Sequence, residues 1–213
     1  MRPGSYYRTL VADRLGIRAG GGWTLDLGAC DGRLLQHMNG RGIALDLRPE
    51  PAAGIAFVRG DATNAPFPSE TFPLVLAMDV LEHVDDDARL MREVLRLLAP
   101  GGSAWVSVPS RKLSVFPPFL TPLAHRSWGH VRPGYTREGL QRLLPSDLGV
   151  TLHDWNEPAY RAAYLPIRIV ARVAPPVARW VIRIVAAYDA RHREGECGHF
   201  FIRIAMPGSS ATG

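Results

Sequence analysis

Five short apolar runs mark the first half of the chain: Leu25–Leu27, Ile43–Leu45, Ile55–Val58, Leu74–Met78 and Ala104–Val108. Most lack the alternation of a strand that is wet on one face, so they predict strands buried on both faces of a parallel sheet. Helical patterns fall between several of them, and DDDARLMREVLRLLAPGG is the clearest. Asp85, Asp86 and Asp87 suit the positive end of a helix. Leu90, Met91, Val94, Leu95 and Leu98 form one apolar stripe, and Pro100-Gly101-Gly102 is expected to end it. A buried helix is the competing reading of Leu74–Met78, but the run is short and Pro73 precedes it. Strand alternating with helix predicts a doubly wound α/β fold.

After Pro109 the pattern changes. Residues 110–134 hold Pro117, Pro118, Pro122 and Pro133 among Phe116, Phe119, His125, Trp128 and His130. Such a stretch is too long for a simple connection and is expected to be a lid loop. TREGLQRLL predicts a helix capped by Thr136, with Glu138 in its first turn. GVTLHDW and CGHFFIRIAM read as two late strands, with a helical insertion over residues 158–197 between them. The end, 207–213, is expected to be disordered. No internal repeat is visible, and the 213 residues fit one domain spanning 1–213.

Charge changes the picture in one place. The net charge is +5; residues 1–160 hold 17 basic and 17 acidic side chains, whereas residues 161–213 hold 8 arginines against 3 acids. A basic end of this kind suits nucleic acid or a membrane surface. The cysteines, Cys30 and Cys197, build neither a disulfide framework nor a metal quartet. No uninterrupted apolar stretch lies in Met1–Gly20, so no secretory signal is expected, and a reducing cytoplasm is the default.

Candidate chemistry begins at WTLDLGACDGRLL, which reads as strand, glycine turn and helix. A dinucleotide fingerprint starting at Gly28 would place glycines where Cys30 and Arg33 stand. A P-loop would need Gly-Lys-Ser/Thr, but Arg33 and Leu34 follow Gly32. Both phosphate cradles fail, which argues against a nicotinamide dehydrogenase.

From Trp23 to Pro109 the sequence instead resembles the class I S-adenosylmethionine-dependent methyltransferases. Asp26, Gly28 and Gly32 match that family's acidic residue and G-x-G-x-G turn, with Cys30 in place of the middle glycine. A cysteine there is expected to keep its backbone out of positive φ, which a non-glycine residue disfavours. IALDL ends in Asp46, RGDATNAPFP carries Asp61 and Ala62, and LVLAMDVLEHV and LRLLAPGGSAWVSVP resemble the fourth strand with its loop and the entry to the fifth. The resemblance implies a Rossmann-like, mostly parallel seven-stranded sheet with an antiparallel last strand. It also implies S-adenosyl-L-methionine as cofactor. The turn would meet the amino-acid end, backbone N–H groups on the carboxylate and an acidic side chain on the ammonium. Asp46 would take the ribose hydroxyls, and Asp61 with Ala62 the adenine. Asp79 joins this cofactor set. Taken alone, Asp26, Asp46 and Asp61 also suit ordinary strand-end or turn roles.

The acceptor side is read from the histidines. His83, after Glu82 at the end of the fourth strand, is the first candidate general base, and His130 the second. His83 as a helix cap is the competing reading, and His125 and Tyr135 are weaker candidates. Adjacent Asp85, Asp86 and Asp87 point in different directions, so no metal site is expected. The reading is methyl transfer to a small-molecule or lipid-like acceptor, on oxygen because the amino-methylating Asn/Asp-Pro-Pro-aromatic motif is absent at Asp79. An RNA or protein methyltransferase, and a catalytically silent cofactor-binding subunit, are the alternatives; nucleic acid is disfavoured. In YLPIRIVARVAPPVARWVIRIVAAY, Arg168, Arg172, Arg179 and Arg183 share one side if helical phase survives Pro175 and Pro176, with Ile169, Val173, Val177, Trp180, Val181 and Ile184 opposite. Peripheral membrane contact through 164–188, at the inner face of a membrane, is one expectation. Packing of that face on the sheet or in a homodimer, with the arginines in solvent, is the other.

Overall fold

The computed structural model describes residues 2–39, 41–48, 54–195 and 198–208. Cys197 and the end of the expected disordered tail, 209–213, lie outside the described residues.

Strands β1 (Thr24–Leu27), β2 (Gly42–Asp46), β3 (Ala56–Arg59), β4 (Phe72–Met78) and β5 (Leu98–Pro109) are joined by β6 (Gly149–Trp155) and β7 (His199–Ala205) in one sheet of order β3-β2-β1-β4-β5-β7-β6. β1 to β5 pair in parallel, and β7 runs antiparallel to both β5 and β6. This is the Rossmann-like, seven-stranded α/β sheet expected from the sequence. The central strand β1 is buried at every residue, whereas edge strand β3 is half exposed.

Period-two alternation divides the core between the two faces. Leu25, Leu27 and Leu45 pack with Leu90, Met91 and Val94 of α3 (Asp87–Leu97). Ala44, Leu74, Leu76 and Trp105 pack with Tyr7 and Val11 of α1 (Pro3–Leu15) and Ile182 and Ala186 of α8 (Pro175–Arg191). Buried Asp189 of α8 ties the second layer, accepting from Tyr7 Oη at 2.8 Å and from the Ala159 and Tyr160 N–H groups at 2.8 and 3.1 Å. The latter two belong to α6 (Pro158–Ala162).

Three expectations need correction. Asp86 caps α3 by accepting from Arg89 N, but the helix ends at Leu97. Leu98 pairs with Phe72 as the first residue of β5, so its burial is a strand's and it leaves the helical stripe. Residues 110–134 are not a bare loop. They contain a 3-10 turn over Pro118–Leu120 and α4 (Thr121–Trp128), with Pro118 and Pro122 at first-turn positions where a missing N–H costs little. Thirdly, α7 (Tyr164–Val173) and α8 are separate helices, broken at Ala174 (φ −141°, ψ 71°). The helical phase does not survive Pro175, and the four arginines do not form one stripe. Thr136 caps α5 (Arg137–Leu143) by accepting from Gly139 N.

Candidate active site

The glycine turn sits at the carboxyl end of β1, where ligands bind in open α/β sheets. Gly28, Cys30 and Gly32 hold φ values of 69°, 53° and 62°. The expectation that Cys30 avoids positive φ is therefore wrong: the turn imposes a left-handed conformation there despite the side chain. The Cys30 N–H donates to Asp46 Oδ2 at 2.9 Å, and Arg2 Nη1 lies 2.7 Å from Cys30 Sγ. A Cβ on Gly28 would stand 2.6 Å from Val80 Cγ2, so the first glycine is needed for packing as well as for φ.

Beside the turn is a cavity of about 230 Å³, lined in part by Arg8, Asp26, Cys30, Asp31 and Asp79. Asp26 is 3% exposed. Burial, with Asp31 and Asp46 nearby, pushes its carboxyl up to about 8. A carboxylate so placed favours a cation. Arg8 of α1 pairs with Asp79, yet its Nη1 is buried without a hydrogen-bond partner. With Asp26 holding its proton, the carboxylates of Asp31 and Asp79 and the incompletely paired Arg8 guanidinium complement S-adenosylmethionine, which carries an ammonium, a sulfonium and one carboxylate. The N–H groups of Gly28, Ala29, Cys30 and Gly32 already have protein acceptors, so Arg8 is better placed than they are to meet that carboxylate.

Arg8 and Asp79 also line a second cavity of about 510 Å³. Its walls are aromatic and charged: Trp128, Tyr160, Tyr164, His130, Arg161 and Arg168 all face it. Trp128 Nε1 donates to Tyr164 Oη at 2.6 Å, joining α4 to α7 across the space. Glu82 Oε2 and Tyr160 Oη are buried without hydrogen-bond partners. Burial pushes the Glu82 carboxyl up to about 8, against the pull of its hydrogen bond and of Arg8 and Arg132. Burial holds His130 down, to about 3, with His83, His125 and His199 adding to the effect. His130 Nε2 stands 4.0 Å from Glu82 Oε1, and its Nδ1 2.9 Å from His125 Nδ1. Glu157 is held below the usual carboxylate range; burial opposes this, but His199, Arg8 and Arg161 outweigh it.

The remaining candidates are placed as follows. Asp46 ends β2; its Oδ2 takes Cys30 N and its Oδ1 takes Arg48 N at 2.8 Å. Exposed Asp61 accepts from Thr63 N and Oγ1 at 2.8 and 2.9 Å, a turn-forming pattern, and Ala62 is buried in the core. His83 is exposed and contacts Gly129 O through Nδ1 at 3.1 Å. It does not line either cavity, because Leu81–His83 is a 3-10 turn that sends Glu82 inward and His83 outward. Glu82, His83 and His130 bring one ligand-type atom each within 4.8 Å of one another. Asp87 receives Arg132 and, at 2.9 Å, Tyr135 Oη, which clamps the end of the 110–134 segment to α3.

Arg8, Tyr160, Glu157 and His199 were not found from the sequence. Pro3 at the helix start and Gly16 in the left-handed C-cap are signals for α1, the helix that carries Arg8. No local pattern marks the other three.

Residues 25–106 match the family model described as a methyltransferase domain. A phthiotriol/phenolphthiotriol dimycocerosates methyltransferase 1 of Mycobacterium ulcerans is 42% identical over 65 residues, 30% of this chain and 24% of that protein. A norajmaline N-methyltransferase of Rauvolfia serpentina is 39% identical over 69 residues, 32% of this chain and 24% of that protein. The matched stretch thus spans about a quarter of these relatives' length. Among solved structures, a SAM-dependent methyltransferase from Archaeoglobus fulgidus has a TM-score of 0.60 at 15% identity, covering 94% of both chains. Phosphoethanolamine N-methyltransferase 2 of Haemonchus contortus, complexed with phosphomonomethylethanolamine and S-adenosylhomocysteine, has a TM-score of 0.64 at 14% identity, covering 97% of this chain and 54% of that one. The [4+2]-cyclase SpnF has a TM-score of 0.57 at 23% identity, covering 96% and 81%. At these identities the structures share the fold.

Proposed function

We propose that the protein, whose residues 25–106 match a family model described as a methyltransferase domain, moves the methyl group of S-adenosylmethionine onto an oxygen of a small or lipid-like acceptor. The observation that carries this reading is the shared wall. The cavity at the glycine turn and the larger cavity meet at Arg8 and Asp79, so two ligands can lie end to end.

S-adenosylmethionine supplies the electrophilic methyl carbon, and the protein's part is orientation, water exclusion and proton handling. Asp26 and Asp79 hold the cationic end, and Arg8 takes the carboxylate. Asp46 receives the ribose hydroxyls with the lone pairs left over from Cys30 and Arg48, and Asp61 with Ala62 borders the adenine. Trp128 and Tyr164 wall the acceptor space, so the 110–134 segment serves as its lid. His130 faces the cavity with its Nε2 4.0 Å from Glu82 Oε1, and this pair takes the acceptor's hydroxyl proton, which comes to rest on the buried Glu82 carboxylate with its raised pKa. His83, the first candidate from the sequence, sits behind His130, with the rings 4.8 Å apart edge to face. Tyr160 keeps its proton, because burial and the Glu157 charge raise its pKa, and it serves as a hydrogen-bond donor to the acceptor.

The test is S-adenosylhomocysteine formation, followed by mass spectrometry against fractions of small hydroxyl compounds and of extracted lipid. Turnover with one fraction, and a gain of one methyl group in a component of it, is the expected result. Cofactor binding without turnover on any fraction would favour a silent cofactor-binding subunit instead.

A further inference from the structure

Helices α7 and α8 each carry two apolar faces, and the protein core uses only one. Ile167 and Ala171 of α7, and Ala178, Ile182 and Ala186 of α8, are buried. Val177, Trp180, Ile184 and Tyr188 are 52%, 64%, 50% and 49% exposed. At about 100° per residue these four fall within an arc of about 80°, facing away from the buried set. On α7, Leu165, Ile169 and Val173 form a like stripe, with Val173 79% exposed. No helix among the described residues is long and apolar enough to cross a membrane.

We infer that this outward face docks on an anionic lipid surface, with the mouth of the acceptor cavity beside it. Charge selects this occupant. Residues 161–191 contain six arginines and one acid, Asp189, which is fully buried. An isologous dimer through the same face would bring the two arginine sets together, which disfavours a second copy as the cover. A lipid surface carries the opposite charge, and an interfacial helix pair needs an apolar face flanked by arginines. Geometry ties the face to the cavity. Tyr164, Arg168 and Arg172 line it from α7, and the stripe of Leu165, Ile169 and Val173 lies about 100° around the same helix. Opposite α7, the segment that supplies Leu113, Val115 and Trp128 to the cavity carries exposed Phe116, Phe119 and Leu123. Both segments thus carry exposed apolar side chains within a few residues of those that line the cavity. This rests on the reading of the larger cavity as the acceptor's, but docking itself is measured without turnover.

The experiment is flotation of the full chain with vesicles of phosphatidylcholine alone or mixed with phosphatidylglycerol, at low and high salt. The parent should float with the anionic vesicles at low salt and lose most of that binding at high salt. Trp180→Ser with Ile184→Ser should weaken flotation about tenfold or more, as should Arg183→Gln with Arg191→Gln. All four positions are exposed, so the variants should keep the parent's circular dichroism and melting temperature. Acyl chains brominated near the headgroup should quench parent fluorescence, and Trp180→Tyr should remove most of that quenching. A parent that stays at the bottom at low salt, or variants that float as the parent does, would overturn the inference. So would light scattering that shows a dimer which the Trp180→Ser, Ile184→Ser variant dissociates.

Discussion

The backbone N–H of Cys30 donates to Oδ2 of Asp46 across 2.9 Å, fastening a left-handed, non-glycine residue to the end of β2. A β-carbon in that conformation costs about 1 kcal/mol. Cys30→Gly should therefore bind S-adenosylmethionine at least as well as the parent. It should melt at the same or a higher temperature, because relief of strain offsets glycine's added unfolded-state entropy. Calorimetry with and without cofactor checks both. A large loss of affinity would give Cys30 a direct role.

Asp46→Ala removes two acceptors from backbone N–H groups as well as the proposed ribose partner. It should lower both folding stability and cofactor affinity, each by roughly 1–3 kcal/mol. Normal affinity in a destabilised variant would confine Asp46 to supporting the turn.

Asp26 gives a pH signature. Its folded-state pKa of about 8 exceeds the ordinary 3.8, so the folded protein binds a proton that the unfolded chain releases. This contribution to stability falls as pH rises from about 4 to about 8, then levels. Asp26→Asn should melt above the parent by a margin that grows across that window. It should also bind S-adenosylmethionine more weakly. In the parent, cofactor binding near pH 7 should release a proton, visible as a dependence of the binding enthalpy on buffer ionisation. A margin that does not change with pH would show that Asp26 titrates normally.

The histidines separate by exposure. His130→Gln should lower turnover by roughly a hundredfold or more with cofactor affinity unchanged. His83→Gln should stay within about tenfold of the parent, because an exposed ring behind His130 can act only through it. The reverse order would return the proton to His83.

The strands were legible because β2 and β4 carry the continuous apolar runs Ile43–Leu45 and Leu74–Met78, the pattern that burial on both faces demands, and because Leu25 and Leu27 of β1 lead directly into the glycine turn. α3 was legible because Asp86 caps it and its stripe keeps period. α4 was hidden by prolines that read as loop but sit at first-turn positions. The arginine stripe failed because its geometry presumed one phase across Pro175, and the break at Ala174 resets it. Asp26 and Asp79, which the fold brings to one cavity, were legible through a resemblance carried by consecutive residues. Arg8 was not, since its partner Asp79 is remote in sequence and only the packing of α1 on the sheet brings them together. Glu82 and His83 read as one motif, but adjacent residues on a 3-10 turn diverge by about 120°. Only folding shows that the first faces the cavity and the second does not.

The most direct measurement is the fate of an isotopically labelled methyl group supplied on S-adenosylmethionine, with the parent and His130→Gln compared on the acceptor fraction that supports turnover. The account predicts label on an oxygen of the acceptor, one S-adenosylhomocysteine per methyl transferred, and at least a hundredfold less of both for His130→Gln. Label that stays on S-adenosylmethionine with every fraction, although the cofactor binds, would contradict it.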